Sequence, residues 1–281
     1  MKTFKHSGNL GDIIYSLPAV QALGGGELYL NNDPSKVRVK NAGMSHPMTD
    51  EMMRQLRELL IAQPYITDVN TFIEQRIDYD LDQFRRRLPF PQLAIVYLKL
   101  FGIDFDLTKP WLFNVKEKPV HEIVIQRSDR FLNKYCRLNW SLLKNYQKKC
   151  VFIGFKHEYQ KFVKDTGLDI PKYPESTITE FAEIINGSKL FIGNQSLGFA
   201  LAEGLKKNRI LDPYYPFPTA WPLSNNSSFY LTKAVIESAL NGETICPTNN
   251  YKKRNLFYLL QHLPFFTLEI ANKIIEKNRR R

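Results

Sequence analysis

The sequence predicts an α/β protein made of two successive units, each a parallel sheet with helices on both faces. Three observations predict it. Short apolar runs alternate with segments of helical period along most of the chain. The alternation restarts at His121, after the proline-bearing stretch Lys109–Pro119. Each half also contains an apolar strand that runs into a Gly-containing polar loop and then a helix.

The first such stretch is Lys5–Val20, KHSGNLGDIIYSLPAV. A strand at Thr3 and Phe4 enters the loop Ser7–Asp12, and a helix follows with Ile13, Ile14, Leu17, Val20 and Leu23 on its apolar face. Gly8 and Gly11 let a ligand approach the backbone closely. Asp12 stands at the helix start, so its type suits either a cap or a site at the carboxyl end of a strand. The loop is neither a Walker A motif nor GxGxxG.

Glu27–Asn32 reads as a second strand after Gly24–Gly26, Asp50–Gln63 as a helix and Tyr65–Phe72 as a third strand. Ile77–Leu88 is charge-rich. Its consecutive Arg85, Arg86 and Arg87 have the charge to grip an anion but point in different directions on a helix, so a solvated turn is expected, and Asp78-Tyr79-Asp80 is expected at the surface or in a turn. Leu93–Phe101 is an apolar helix. Beyond the boundary, His121–Gln126, Cys150–Phe155, Lys189–Gly193 and Arg209–Leu211 read as strands. Asn139–Tyr146, Lys156–Asp165, Ile178–Asn186 with Ser176 or Thr177 as cap, Leu197–Leu205 and Thr232–Leu240 read as helices. Asp212–Ser228 is dense in aromatics, Tyr214, Tyr215, Phe217 and Trp221, a composition that serves either packing or stacking of a sugar or base. Asn255–Glu276 is helical with a break at Pro264.

Composition bounds the function. No run approaches the ~18 apolar residues of a membrane span. Charged and polar residues by position 7 argue against a signal peptide. Cys136, Cys150 and Cys246 are scattered and odd in number, which fits a reducing compartment and no metal-ligand pattern. The net charge of +11 is uneven: residues 1–118 are nearly neutral, whereas residues 251–281 carry 8 Lys and Arg against 2 acids. A basic tail suits an anionic partner, and equally a solvated helix end.

The second polar loop is in Phe191–Leu205, FIGNQSLGFALAEGL. A strand delivers Asn194, Gln195, Ser196 and Gly198 to a helix start, whose free N–H groups suit a diphosphate. Upstream, Arg127 and Ser128 leave another strand with a guanidinium and a hydroxyl, again suited to phosphate oxygens.

Gly11-Asp12 with Leu17-Pro18-Ala19-Val20, and Gly193-Asn194-Gln195-Ser196 with Leu201-Ala202, resemble the ADP-heptose:lipopolysaccharide heptosyltransferases, glycosyltransferase family 9. The chain departs from that family at Gln195, where it has an acid, at Leu197, where it has Gly, and at Ala200, where it has His. The resemblance implies the GT-B fold, two Rossmann-like domains facing across a cleft: 1–115 on the acceptor side, 116–250 for the nucleotide-sugar, and a basic helical tail, 251–281, returning to the first domain. It implies Asp12 as general base, a donor site of Gly11, Arg127, Ser128, Asn194, Gln195, Ser196 and Gly198, and Glu158 on the ribose hydroxyls. The implied reaction is an inverting, metal-independent transfer from a nucleotide-diphosphate-sugar, with no other cofactor, to a cell-envelope glycan or lipid-linked sugar. The expected location is cytoplasmic, at the inner membrane surface through the tail. Two alternatives stay open: a phage-type enzyme acting on DNA bases in a host cytoplasm, and an inactive GT-B nucleotide-binding or scaffold protein.

Overall fold

The computed structural model describes residues 1–32, 48–86, 92–132, 138–174, 176–214 and 219–246. The basic tail with its expected return helix, Arg87, Cys136, Tyr215 and Phe217 lie outside the described residues.

The first half runs β1 (Lys2–His6), α1 (Leu10–Ala22), β2 (Gly26–Leu30), α2 (Asp50–Ile61), β3 (Ile66–Thr71), β4 (Tyr79–Asp80), a 3-10 helix (Leu81–Arg86) and α3 (Leu93–Phe101). Its strands form a parallel sheet in the order β3-β2-β1-β4. The second half runs β5 (Ile123–Gln126), a 3-10 helix (Trp140–Lys149), β6 (Cys150–Phe152), α4 (Lys156–Thr166), α5 (Ile178–Gly187), β7 (Leu190–Asn194), α6 (Leu197–Gly204), β8 (Arg209–Asp212), β9 (Ser227–Ser228) and α7 (Lys233–Leu240). These strands form a separate parallel sheet in the order β6-β5-β7-β8-β9.

The sequence accounts for most of these elements. Every residue of β5, β7 and β8 is buried, as parallel strands covered on both faces require. Met53, Leu56, Leu59 and Leu60 form the buried stripe of α2, and the Thr49 hydroxyl caps it by accepting the Met52 N–H. Thr177, one of the two expected caps, does the same for α5.

Two expectations are corrected. Tyr79-Asp80 is not surface turn but edge strand β4 beside β1. The Asp78 carboxylate accepts the Thr3 N–H (2.9 Å), and the Tyr79 ring stacks on Phe4 (5.2 Å), so partners 75 positions away set this strand. The Arg85 stretch is not a solvated turn: Arg85 is tied to Asp82 at 2.6 Å within a 3-10 helix. Trp221 is buried, edge-on to Phe229 (5.4 Å), and so belongs to packing.

The two halves meet through helices. α1 packs on α6 and α2 on α5, where the Gln55 side chain accepts the Ile178 N–H (3.2 Å). One apolar cluster runs from Phe4, Ile13 and Leu17 through Trp111 to Phe199 and Leu201, and a second fills the far face of the second sheet around Phe152, Phe162 and Ile192.

Trp111, in the connection between α3 and β5, is fully buried at this junction. Its own N–H and that of Leu112 donate to the Gly204 carbonyl (2.9 and 3.1 Å), and its indole Nε1–H donates to the Ile14 carbonyl (3.1 Å). Ile14 is open to that bond because Pro18, four residues on inside α1, has no N–H to offer it. Replacing Trp111 by Phe leaves the carbonyl unsatisfied and is expected to cost about 1–3 kcal/mol beyond the lost contact area. Pro18→Ala restores an intrahelical donor, so Trp111→Phe should cost measurably less in that background. Urea unfolding of the four proteins in the cycle checks this, and equal costs in both backgrounds would refute it.

Candidate active site

At the end of β1 the chain turns over His6, Ser7 and Gly8 into α1. Asn9, not Asp12, is the N-cap residue, and Asp12 is the third residue of the helix. Its carboxylate reaches back to accept the Asn9 N–H (3.2 Å), the acidic half of a capping box. Asp12 is half-buried. Loss of water raises its carboxyl above the usual range, against the opposing pull of the Arg85 guanidinium, the Asn9 N–H and Arg130.

The loop carrying Asp12 is held from beneath. The buried His6 ring accepts the Gly8 N–H at Nδ1 (2.8 Å), which leaves Nε2 to donate to the Tyr97 hydroxyl (2.7 Å). A Cβ on Gly8 would stand 2.4 Å from His6 Cε1, so only glycine fits there. Asp82 accepts the Ser7 N–H (2.9 Å) and hydroxyl (2.6 Å) and holds Arg85 Nη1 (2.6 Å). Burial pushes the Asp82 carboxyl up, but His6, Ser7 and Arg85 outweigh it and bring it down to about 2. Arg85 Nη2 is buried with no hydrogen bond among the described residues.

In the second half the expected donor residues divide into two kinds. Gln195 and Ser196 stand at the mouth of α6, but largely as scaffold: Gln195 accepts the Tyr214 N–H (3.1 Å) and donates to the Thr219 hydroxyl (3.2 Å). Ser196 donates to the Gln126 side-chain oxygen (2.6 Å), and that same oxygen accepts the Gly198 N–H (3.1 Å). Gln126 thus caps α6. Asn194 is fully buried and spends its amide on the loop after β5: it accepts the Ser128 N–H (3.0 Å) and donates to the Ser128 and Arg130 carbonyls (3.0 and 2.6 Å). Arg127 points inward, with Nη1 on Asp165 (2.9 Å) and Nε 3.8 Å from Asp212, and is 5% exposed. The guanidinium expected to face a diphosphate is therefore committed to two carboxylates. Glu158 is the third residue of α4, buried, and accepts the Phe155 N–H (3.0 Å); burial raises its carboxyl against that bond.

The tertiary structure brings the two polar loops together. A Cβ on Gly11 would lie 3.7 Å from Ala200 Cβ and 3.8 Å from the Ser196 carbonyl, so the first turns of α1 and α6 are in contact. Both helices direct their positive ends to one place at the carboxyl edges of the two sheets. Asp12 stands there, within the electrostatic reach of Arg85 from the first half and Arg130 from the second. Gln126, His6, Asp82 and Arg130 are the participants that the motifs do not reveal, and Arg85 is one that the sequence assigns to a solvated turn. Their signal in the sequence is only that His6 and Gln126 end strands. Among the described residues no group of His, Cys, Asp or Glu is placed to hold a metal ion, and no helix is long and apolar enough to cross a membrane.

His6 gives this site a pH signature. Burial, the largest influence, with Arg85 and Lys5, lowers its pKa from 6.5 to about 4, against Asp82. The unfolded chain therefore binds the proton more readily, and stability held above pH 6.5 is lost as pH falls toward 4. The loss should reach about 3 kcal/mol. His6→Asn keeps an acceptor for the Gly8 N–H but does not titrate. Its unfolding free energy should lack this decline between pH 6.5 and 4; an unchanged decline would rule out His6 as its source.

No family model matches the chain, and no curated protein matches it. Solved structures do. E. coli heptosyltransferase WaaC with ADP aligns at 11% identity over 92% of this chain and 99% of its own, with a TM-score of 0.51. The iron-containing heptosyltransferase TibC, in complex with ADP-D-beta-D-heptose, aligns at 14% identity over 82% and 62%, with a TM-score of 0.50. A glycosyl transferase family 9 structure from Veillonella parvula aligns at 12% identity over 92% and 97%, with a TM-score of 0.48. At such identities the likeness is one of fold: the chain has the GT-B fold, two Rossmann-like α/β halves facing across a cleft, as in the WaaC and TibC structures.

Proposed function

We propose that the protein is a glycosyltransferase that moves a sugar from a nucleotide-diphosphate-sugar to an acceptor hydroxyl in a single inverting displacement. The observation that carries this reading is the placement of Asp12: a carboxylate of raised proton affinity, from one half, beside the N-terminus of α6 from the other. Asp12 takes the proton of the acceptor hydroxyl as its oxygen bonds to the anomeric carbon. The bond from that carbon to the phosphate oxygen breaks, and the nucleoside diphosphate leaves with the electron pair. Its charge falls on Arg130 and on the positive end of α6, where Gln126 holds the Ser196 hydroxyl and the Gly198 N–H in place. Arg127, Ser128, Asn194 and Gln195 hold the loops around this seat, and Gly11 lies where the two halves meet. Glu158 takes the ribose hydroxyls. No metal is needed, because helix ends and guanidinium supply the positive charge.

Arg85 and Arg130 beside Asp12 suit an acceptor with anionic groups, a phosphorylated glycan or lipid-linked sugar. A heptose donor is one candidate, since the WaaC and TibC structures contain ADP or ADP-heptose. A non-catalytic nucleotide-binding role has one observation in its favour, the commitment of Arg127 to Asp165 and Asp212. Release of nucleoside diphosphate from a panel of nucleotide-sugars, with oligosaccharide and DNA acceptors in parallel, separates these readings. No release with any donor and acceptor overturns the enzyme.

Asp12→Asn supplies a sharper test. Turnover at saturating donor should fall ~10²–10⁴-fold with nucleotide affinity nearly unchanged. Stability should move the other way. Because folding raises the Asp12 pKa, the folded state loses stability as pH rises from the unfolded value of about 3.9 through the raised one. Asn accepts the Asn9 bond without that burden, so the variant should melt higher at pH 7, with the gain shrinking as Asp12 is protonated in acid. A near-wild-type rate in the folded variant removes Asp12 from the chemistry.

A further inference from the structure

The loop after β5 holds one residue in a conformation that its type avoids. Phe131 has φ +53°, in the left-handed region that a bulky side chain rarely adopts. Such strain persists only where the surroundings over-determine it, and here they do. The Arg130 carbonyl accepts from the Asn194 side-chain amide (2.6 Å) and from the Ser128 hydroxyl (3.2 Å), and the same amide reaches the Phe131 carbonyl (3.5 Å). The Phe131 ring meets Tyr214, 5.2 Å between centroids at 55°, and the Tyr214 N–H is in turn fixed by Gln195 (3.1 Å).

The strained turn orders Arg130. Its guanidinium carbon lies 4.9 Å from the centroid of the Phe131 ring, within the range of a cation–π contact. Arg130 is exposed, and a long side chain in water samples many rotamers; the ring limits them. Asn194 ends β7, and Gln195 follows it directly before Ser196, the N-cap residue of α6. Ring and cation are therefore both anchored to the residues that lead into α6, the helix whose positive end receives the diphosphate.

We infer that Phe131 is a positioning residue: its ring is the perch that holds the Arg130 guanidinium ready for the leaving diphosphate, and the guanidinium stays on the ring when the diphosphate binds. The inference rests on the donor seat proposed above and adds to it the group that orders its side-chain cation. A cation already held in place loses less freedom on binding, so affinity rises without any further contact to the ligand.

Titration calorimetry with ADP, GDP, UDP and CDP first selects the diphosphate that the wild type binds. Phe131→Leu removes the ring face and keeps an apolar side chain. It should bind that diphosphate roughly two- to tenfold more weakly, and Arg130→Ala roughly tenfold more weakly or worse. The double variant decides the route: with Arg130 already absent, Phe131→Leu should cost nothing further. Phenylalanines of increasing fluorination in place of Phe131 keep the shape of the ring and drain charge from its face, so affinity should fall stepwise along the series. These isosteric rings carry the test if Phe131→Leu fails to fold, as its melting temperature will report. Unchanged or tighter binding by Phe131→Leu overturns the perch, and so does an affinity indifferent to fluorination. An equal loss with and without Arg130 overturns it too, because the ring then acts through the fold or on the ligand itself. In each of these cases a loss in Arg130→Ala leaves the donor seat standing. Wild-type protein that binds none of the four diphosphates overturns the seat and this inference together.

Discussion

The contact between α1 and α6 is the constraint on which the rest of the structure depends. It joins two sheets that share no strand, and it places the Asp12 turn against the Ser196 turn. The contact is locked by a hydrogen bond that exists because another is missing. Pro18 cannot donate to the Ile14 carbonyl, and the Trp111 indole takes it instead. Trp111 also carries the chain from one half to the other, so a single side chain ties the connection, α1 and the end of α6 into one apolar junction. Leu17-Pro18-Ala19 thus has a structural meaning beyond any signature: the proline keeps α1 helical while freeing one carbonyl on the face turned to the other half.

Charge at the back of this junction is arranged with similar economy. Glu203 and Arg209 are fully buried and bonded at 2.6 Å, and Lys206 lies 4.2 Å over the Trp111 ring. Burial lowers the Lys206 pKa to about 8, against the pull of Glu203. Such groups contribute little net stability, since desolvation offsets attraction, but removing one partner strands the others. They make the junction intolerant of change on the side away from the cleft. The cleft side carries Asp12 and the buried Arg85 Nη2, which has no hydrogen bond among the described residues.

The polar residues around the cleft also show how a site is built in two layers. Asn194, Arg127, Gln126 and His6 are buried, Asp82 is half-buried, and all five point at other protein atoms. Each fixes a loop that presents another residue: Asn194 holds Arg130, Asp82 holds Arg85, and His6 holds the Gly8 turn ahead of Asp12. A motif read as a set of ligands is here mostly the frame that positions them. Residue type alone does not distinguish the two roles, because a buried amide and a ligand-binding amide need the same donors and acceptors.

By itself the sequence determined the strands and helices, their alternation, and the two loops at which chemistry is expected. Those features are local. Val124-Ile125 and Phe191-Ile192 read as buried strands from their own apolar runs, and Ser7–Asp12 reads as a strand-to-helix loop from its own glycines. Only the tertiary structure decided which way the loop residues face. Asp78 and Asp82 find their partners Thr3 and Ser7 75 positions away, and Asn194 finds Ser128 at a separation of 66. No window of helical or strand period spans such distances, so Tyr79-Asp80 became a strand and Arg127 turned inward without local warning. The approach of Gly11 to Ser196 is of the same kind: each loop encodes its own shape, and the packing of α1 on α6 alone makes them one site.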